Sequence, residues 1–318
     1  MNSTTASYNP SHEGNTSADS PKEVQGVPIL TLNDGHKIPM LGYGTGTARG
    51  RVGNTSSDLD ESLVATILMA IRAGFYHLDG AEYYGNEREL GEAIKQSGLP
   101  RSTFFVTTKI PGAEPTDTEA SITASLEKLG LDYVDLYLIH APYFASSDAD
   151  LQAKWAEFEA IQASGRARSI GVSNFLQPQL EAILKTAKVV PAVNQIEYHP
   201  YLQHKGLVEF NQEHGIATVA FSPLAALLHA RPGPMDRYYS NLAAKYGVTE
   251  AEVALRWIVD QGMVVLTTSS KEDRLKGYLA NIGRWKLTPR EVDNIKEIGR
   301  EKHYRGFWKD KFAADDRS

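Results

Sequence analysis

Residues 103–140 read TFFVTTKIPGAEPTDTEASITASLEKLGLDYVDLYLIH. An apolar run at Thr103–Thr108 gives way to a loop, then to the capping box Thr116-Asp-Thr-Glu119, then to a second apolar run, Val134–His140. Threonine at an N-cap and glutamate three residues later satisfy each other's orphan backbone N–H groups, so the box opens a helix. Neither apolar run alternates, as expected of parallel strands buried on both faces. The stretch is a strand–helix–strand unit.

The same alternation continues in both directions. Six more short aliphatic runs read as strands: Met40–Thr45, Phe75–Asp79, Ser169–Val172, Ala192–Glu197, Thr218–Phe221 and Val264–Thr267. Helix signals fill the gaps. Ser62–Ala73 stops at Gly74, Asn86 caps a helix that stops at Gly98, Trp155–Ser164 stops at Gly165, and Thr249-Glu-Ala-Glu252 is another capping box. Eight strands alternating with helices, without a composition break, predict the α/β class and a closed (β/α)₈ TIM barrel rather than two domains. Ahead of it, Ile29-Leu-Thr-Leu, Asn33-Asp34-Gly35 and His36-Lys-Ile38 read as an N-terminal β-hairpin. Behind it, Thr288-Pro289-Arg-Glu291 opens an extra C-terminal helix, with Pro at the first helical position. Residues 26–318 are expected to form a single barrel domain. Residues 1–25, rich in Ser, Thr and Asn with almost no aliphatics, are expected to be a disordered tail.

Barrel enzymes keep their chemistry at the C-terminal rim. The two longest irregular stretches, Ala141–Asp150 and Leu224–Pro234, fall there. The aromatic and basic ending Tyr304–Phe312, YRGFWKDKF, is expected to fold back over that rim as a lid.

Composition narrows the classes of function. A net charge of −6 argues against a broad nucleic-acid footprint. The absence of cysteine rules out disulfides, zinc thiolate sites and Cys nucleophiles. No apolar run approaches the roughly 18 residues of a membrane span. The N-terminus lacks a charged start and an apolar core, so no secretory signal is read. A cytoplasmic protein is expected, in which the sequons at Asn2, Asn15 and Asn54 carry no meaning.

Four polar residues stand where three consecutive strands end. Asp79 closes one, with Tyr84 five residues on; Lys109 follows the next; His140 closes the third. Singly, each has an ordinary structural explanation. Together they would meet at one barrel mouth. Reduction of a carbonyl needs a proton donor at the developing alkoxide. A phenol with pKa about 10 is a weak acid at neutral pH. A nearby ammonium lowers that pKa, and a carboxylate keeps the ammonium charged and placed.

On these residues and their surroundings the sequence resembles the aldo-keto reductase family, from Ile29 to Phe312. The motifs are LDGAEYYGNE (78–87), FVTTKI (105–110), DLYLIHAP (135–142), GVSNF (171–175), NQIEYHPYL (194–202) and AFSPL (220–224). The branch most resembled is that of fungal conjugated polyketone and ketopantoyl-lactone reductases. The resemblance implies a catalytic tetrad of Asp79, Tyr84, Lys109 and His140, and NADPH as cofactor, with NADH disfavoured. It also implies that Ser173, Asn174 and Gln195 hold the nicotinamide carboxamide and that Phe221 supplies the stacking platform, where Tyr is usual. Gly44, Thr45, Ser222, Pro223 and Leu224 would line the cofactor's path. Thr268, Ser269, Ser270, Lys271 and Arg274 would meet its adenosine phosphate; Thr268-Ser-Ser270-Lys271 replaces the commoner Pro-Lys-Ser. The substrate pocket would include Gly46, Tyr83, Phe307 and Trp308, with Gly46 opening the floor where many relatives carry Trp. The partner implied is a small carbonyl compound, with no metal, nucleic acid or membrane, on a monomer.

Other readings fit less well. Gly42-Tyr-Gly44-Thr-Gly46 misses the dinucleotide fingerprint G-x-G-x-x-G. Gly171-Val-Ser173-Asn-Phe175 is not a hydrolase elbow. His199 and His204 have no carboxylate cluster to make them a metal site. The rival from another class is a cofactor-sensing regulatory subunit with little turnover.

Overall fold

A computed structural model describes residues 26–46 and 58–318. The tail 1–25, with Asn2 and Asn15, and residues 47–57, with Asn54, lie outside the described residues. Two short antiparallel strands, β1 (Ile29–Thr31) and β2 (Lys37–Pro39), form the expected hairpin, with Leu30 opposite Ile38. Eight parallel strands then close a barrel: β3 (Leu41–Gly44), β4 (His77–Asp79), β5 (Phe105–Ile110), β6 (Val134–Ile139), β7 (Ala167–Ser173), β8 (Val193–Glu197), β9 (Ala217–Phe221) and β10 (Val264–Thr267). Closure runs through β10 and β3, where Val265 pairs with Leu41. Every residue of β5, β6 and β8 is buried, which is why these runs are continuously apolar or carry paired polar groups.

The helices follow the strands: α1 (Glu61–Ala73), α2 (Glu87–Ser97), α3 (Thr118–Leu129), α4 (Asp148–Ala163), α5 (Gln177–Leu184), α6 (Leu207–Glu213), α7 (Ala225–Leu228), α8 (Met235–Tyr246), α9 (Glu250–Val259), α10 (Glu272–Asn281) and α11 (Pro289–Gly299). Their ends obey local chemistry. Asp60 caps α1 by accepting from the amides of Ser62 and Leu63, and Gly74, at φ 114°, stops it. Capping boxes at Thr249/Glu252 and Thr288/Glu291 open α9 and α11 as expected.

Three local expectations are corrected. Thr116 is not the cap of α3: Asp117 accepts from the Ala120 amide, and the Thr116 hydroxyl turns back to Glu114 O. A carboxylate beside the positive helix end makes the better cap there. The run from Thr103 is also displaced. Arg101–Thr103 forms a 3₁₀ turn, tied down by the Arg101 guanidinium on Phe104 O, Tyr133 O and Asp135. The strand therefore extends to Ile110, and Lys109 lies inside it. Finally, α4 begins within the stretch Ala141–Asp150, because Ser147 caps it and Asp148 and Asp150 occupy its first turn.

Candidate active site

Four side chains converge above the ends of β4, β5 and β6. Lys109 Nζ donates to Asp79 Oδ1 at 2.7 Å and to Gly80 O at 2.7 Å. Asp79 Oδ2 accepts from Gln195 Nε2 at 2.8 Å, so its carboxylate is held from two sides. Tyr84 follows β4 in a single 3₁₀ turn, Glu82–Tyr84, closed by Gly85 at φ 65°. That turn swings the phenol back over the barrel. The Lys109 ammonium lies 5.2 Å from the centre of the Tyr84 ring. The His140 ring meets the Tyr84 ring edge-on at 5.5 Å, and Tyr83 approaches it at 6.2 Å.

Their charges follow from burial and from one another. Burial works against the Lys109 ammonium, but Asp79 and the Tyr84 hydroxyl outweigh it and raise its pKa, so the amine stays charged. Burial pushes the Tyr84 phenol above its ordinary value, and Lys109 offsets only part of that. The ammonium does lower the phenol's pKa, as expected from the sequence, but desolvation of the phenolate is the larger effect. The phenol is held in its protonated form, which is the form an acid requires. Burial first and the Lys109 charge second bring His140 down to about 3, leaving a neutral imidazole at physiological pH. Tyr84 and His140 are each half-buried.

These groups face a cavity of about 750 Å³. Asp79, Tyr84 and His140 line one wall, and Ser173, Asn174, Gln195 and Phe221 line another. Asn174 holds a left-handed backbone, φ 60°, at the end of β7. Its amide donates to His140 O at 2.7 Å and to Ser173 Oγ at 3.0 Å. The Ser173 hydroxyl donates to Gln195 O at 2.8 Å. Asn174 Oδ1 and Gln195 Oε1 have no donor among the described residues, so two amide acceptors stand ready for a ligand's N–H groups. Ser222 (φ 52°), Pro223, Leu224, Thr267 and Thr268 carry the lining onward.

Not every expected residue reaches the cavity. Thr45 is buried, and its hydroxyl donates to Asp79 O at 3.1 Å. Asn86 stands at the cap position of α2 but makes no side-chain cap; it donates to Thr45 O at 3.0 Å instead. Gly46 does line the cavity. A Cβ there would come within 2.5 Å of the Tyr84 ring, so the missing side chain makes room for the phenol. Ser269, Ser270, Lys271 and Arg274 lie beyond the lining, on the loop and first turn of α10, with Ser270, Lys271 and Arg274 exposed. The C-terminal segment folds over the rim as expected. Phe307 packs edge-on against Phe221 at 5.2 Å, and Trp308 lies 4.8 Å from Tyr143. Leu228 and His229 also reach the lining and were not anticipated. Their stretch read only as an irregular loop, and the α7 turn brings them there.

Elsewhere, a hollow of about 800 Å³ between α6 and α11 is lined by groups such as Glu209, Lys296 and Arg300 and contains none of the four. Among the described residues no group of three His, Asp or Glu side chains is placed to hold a metal ion, and no helix is long and apolar enough to cross a membrane.

Comparison with known proteins gives the chain a family. Residues 40–300 match the model of the Aldo/keto reductase family. The chain is similar to the NAD/NADP-dependent indole-3-acetaldehyde reductase of Schizosaccharomyces pombe, 38% identical over 284 residues that cover 88% of this chain and 99% of that one. It is 39% identical to the NADPH-dependent alpha-keto amide reductase of Saccharomyces cerevisiae, covering 86% of this chain and 91% of that one. Among solved structures, an aldo/keto reductase from Brucella melitensis superposes with a TM-score of 0.75 at 37% identity, covering 86% of this chain and 99% of the other.

Proposed function

The chain belongs to the aldo/keto reductase family, and from that premise we propose that it reduces aldehydes or ketones with NADPH, with Tyr84 protonating the substrate oxygen. The observation that carries this reading is the meeting of a protonated phenol, a carboxylate and a neutral imidazole at one cavity, with a charged amine fully buried behind them on the carboxylate.

The cofactor supplies a hydride to the carbonyl carbon; the protein supplies placement and electrostatics. The residues present fit such a group. Asn174 Oδ1 and Gln195 Oε1 would accept from its carboxamide, beside the Ser173 hydroxyl, and Phe221 would offer an aromatic face. Gly44, Ser222, Pro223 and Leu224 would border its path toward Thr268 and the N-terminus of α10, where backbone amides would favour a phosphate. There Arg274 and Lys271, with Ser269 and Ser270, suit a 2′-phosphate, which distinguishes NADPH from NADH. At the reacting end, His140 donates a hydrogen bond that orients the carbonyl oxygen toward the Tyr84 hydroxyl. As the oxygen gains charge, the phenol gives up its proton, and Lys109, fixed by Asp79, stabilises the phenolate left behind. The substrate then lies among Tyr83, Phe307 and Trp308, beside Gly46. Relatives named for NADPH or for both coenzymes support the cofactor assignment.

The test is consumption of reduced cofactor by the wild-type protein with a panel of aliphatic aldehydes, aryl ketones and α-dicarbonyls, run with NADPH and NADH in parallel. Turnover faster with NADPH is expected. Tight binding of NADPH with no oxidation by any carbonyl would instead identify a cofactor-sensing regulator.

A further inference from the structure

Glu197 ends β8, two residues beyond Gln195 and in register with Phe221 on β9. It is 3% exposed and touches none of the four groups described above. Its carboxylate accepts from Gly306 N at 2.8 and 3.1 Å, from Phe307 N at 3.1 Å and from His199 Nε2 at 3.2 Å. Two of those donors are backbone amides of a segment more than a hundred residues away, and that segment has no helix or strand of its own. Other attachments of the lid include Tyr304 N to Tyr201 O at 3.2 Å, the rings of His199 and His229 on Tyr304, Phe307 on Phe221, Trp308 on Tyr143 and the Lys311 ammonium over the Tyr143 ring.

Buried carboxylates are costly unless their lone pairs are met. This one is met by two lid amides and by His199. His199 and the two amides outweigh burial and hold Glu197 below its ordinary pKa, so it is a full charge at neutral pH. Gly306 is fitted to the arrangement: a Cβ there would lie 3.0 Å from Glu197 Oε1. Directly beyond it, Phe307 is 49% exposed, its ring edge-on to Phe221, and Trp308 adopts a left-handed backbone, φ 56°. An exposed aromatic at a cavity mouth stays in one position only if its backbone is fixed.

We propose that Glu197 is a positioning residue that latches the C-terminal lid to the cofactor-bearing strand β8, and through Phe307 and Trp308 sets selectivity for flat, bulky carbonyl substrates. This rests on the reductase reading of the cavity for its substrate half and on geometry alone for the latch. A small aldehyde would reach Tyr84 without touching the lid; an aryl ketone would need the aromatic wall.

Three variants test it: Glu197→Ala, Glu197→Gln and, from the lid side, Gly306→Ala. The first readout is amide hydrogen exchange across residues 304–312. Hydrogen bonds to a charged acceptor are worth enough that exchange at Gly306 and Phe307 should accelerate about 10–100-fold in Glu197→Ala. Glu197→Gln, which keeps a carbonyl oxygen, should fall between it and wild type. The second readout is kinetic. KM for an aryl ketone should rise about tenfold in Glu197→Ala and in Gly306→Ala, while kcat and KM for a small aliphatic aldehyde and the NADPH Kd stay within about twofold. Adding Phe307→Ala to Glu197→Ala should raise the aryl-ketone KM no further, because both act on the same wall. Unchanged exchange at Gly306 and Phe307 would overturn the latch, as would equal losses for small and bulky substrates. If Glu197→Ala does not fold, the Gln and Gly306→Ala variants decide the same two questions. Absence of turnover with every carbonyl would defeat the reductase reading instead, and the exchange data would still judge the latch.

Discussion

Desolvation sets the charge of His140 and of Tyr84, and the two results suit one another. His140 is brought down to about 3, so its imidazole stays neutral through the physiological range. The Tyr84 pKa is raised, so its proton is retained there too. An acid acts while protonated; its contribution is present below its folded pKa and is lost as pH rises through it. Reductive turnover should therefore be flat from about pH 5 to about pH 9 and fall only at strongly alkaline pH. A fall centred near the ordinary histidine value of 6.5 would show that His140 titrates in the working range and contradict this assignment. The four groups were legible in the sequence because each stands at or just after a strand end, where a barrel gathers side chains. Three of their neighbours were not. The role of Gly46 depends on how far the Tyr84 turn swings back. Asn86 looked like a helix cap and instead holds Thr45. Glu197 sat within a quoted motif, yet its partners come from residues 306 and 307, a separation no local pattern reveals.

Elements were readable where their signals are local. Gly stops, capping boxes and aliphatic runs located all eight barrel strands to within a few residues. The α11 start shows how much rests on one such signal. Glu291 accepts from Thr288 N at 2.8 Å, Thr288 Oγ1 at 2.9 Å, Lys245 Nζ at 2.6 Å and Tyr246 Oη at 2.7 Å. Burial opposes the carboxylate, but these donors together take its pKa to about 2, from an ordinary 4.5. A depressed carboxylate stabilises the fold above its unfolded pKa and loses that effect as pH falls through the folded value. Glu291→Gln should therefore lower stability at pH 7 by about 1–2 kcal/mol in urea unfolding, and the difference should shrink as pH falls from 4.5 toward 2. A pH-independent difference would mean that the charge is not what matters. Boundaries failed where a tertiary partner intervened. Asp135 draws Arg101 into a turn ahead of β5, and no feature of residues 101–108 alone announces it.

Across the whole molecule, the groups of the proposed mechanism come from two arcs of the barrel rim. Asp79, Lys109 and His140 come from β4, β5 and β6, and Tyr84 from the turn that follows β4. The surfaces suited to a dinucleotide come from β7 to β10, and Gln195 on β8 joins the arcs through its bond to Asp79. The far end of the second arc is the exposed start of α10. If Arg274 meets a 2′-phosphate there, Arg274→Ala should weaken NADPH about 10–100-fold by fluorescence titration and leave NADH nearly unchanged. Equal weakening of both would remove Arg274 from coenzyme choice. The fold-level order was readable because strand and helix alternate without interruption. The cavity's aromatic mouth was only partly so, because it is completed by α7 and by the far C-terminus. The proposal that Tyr84 is the proton donor depends on all of this placement and is tested most directly by single-turnover oxidation of bound NADPH in Tyr84→Phe. The ring and its packing remain, and only the hydroxyl is lost. The rate of carbonyl reduction should drop by about 10²–10⁴ while the NADPH Kd stays at the wild-type value. Reduction at an undiminished rate would show that the proton comes from elsewhere.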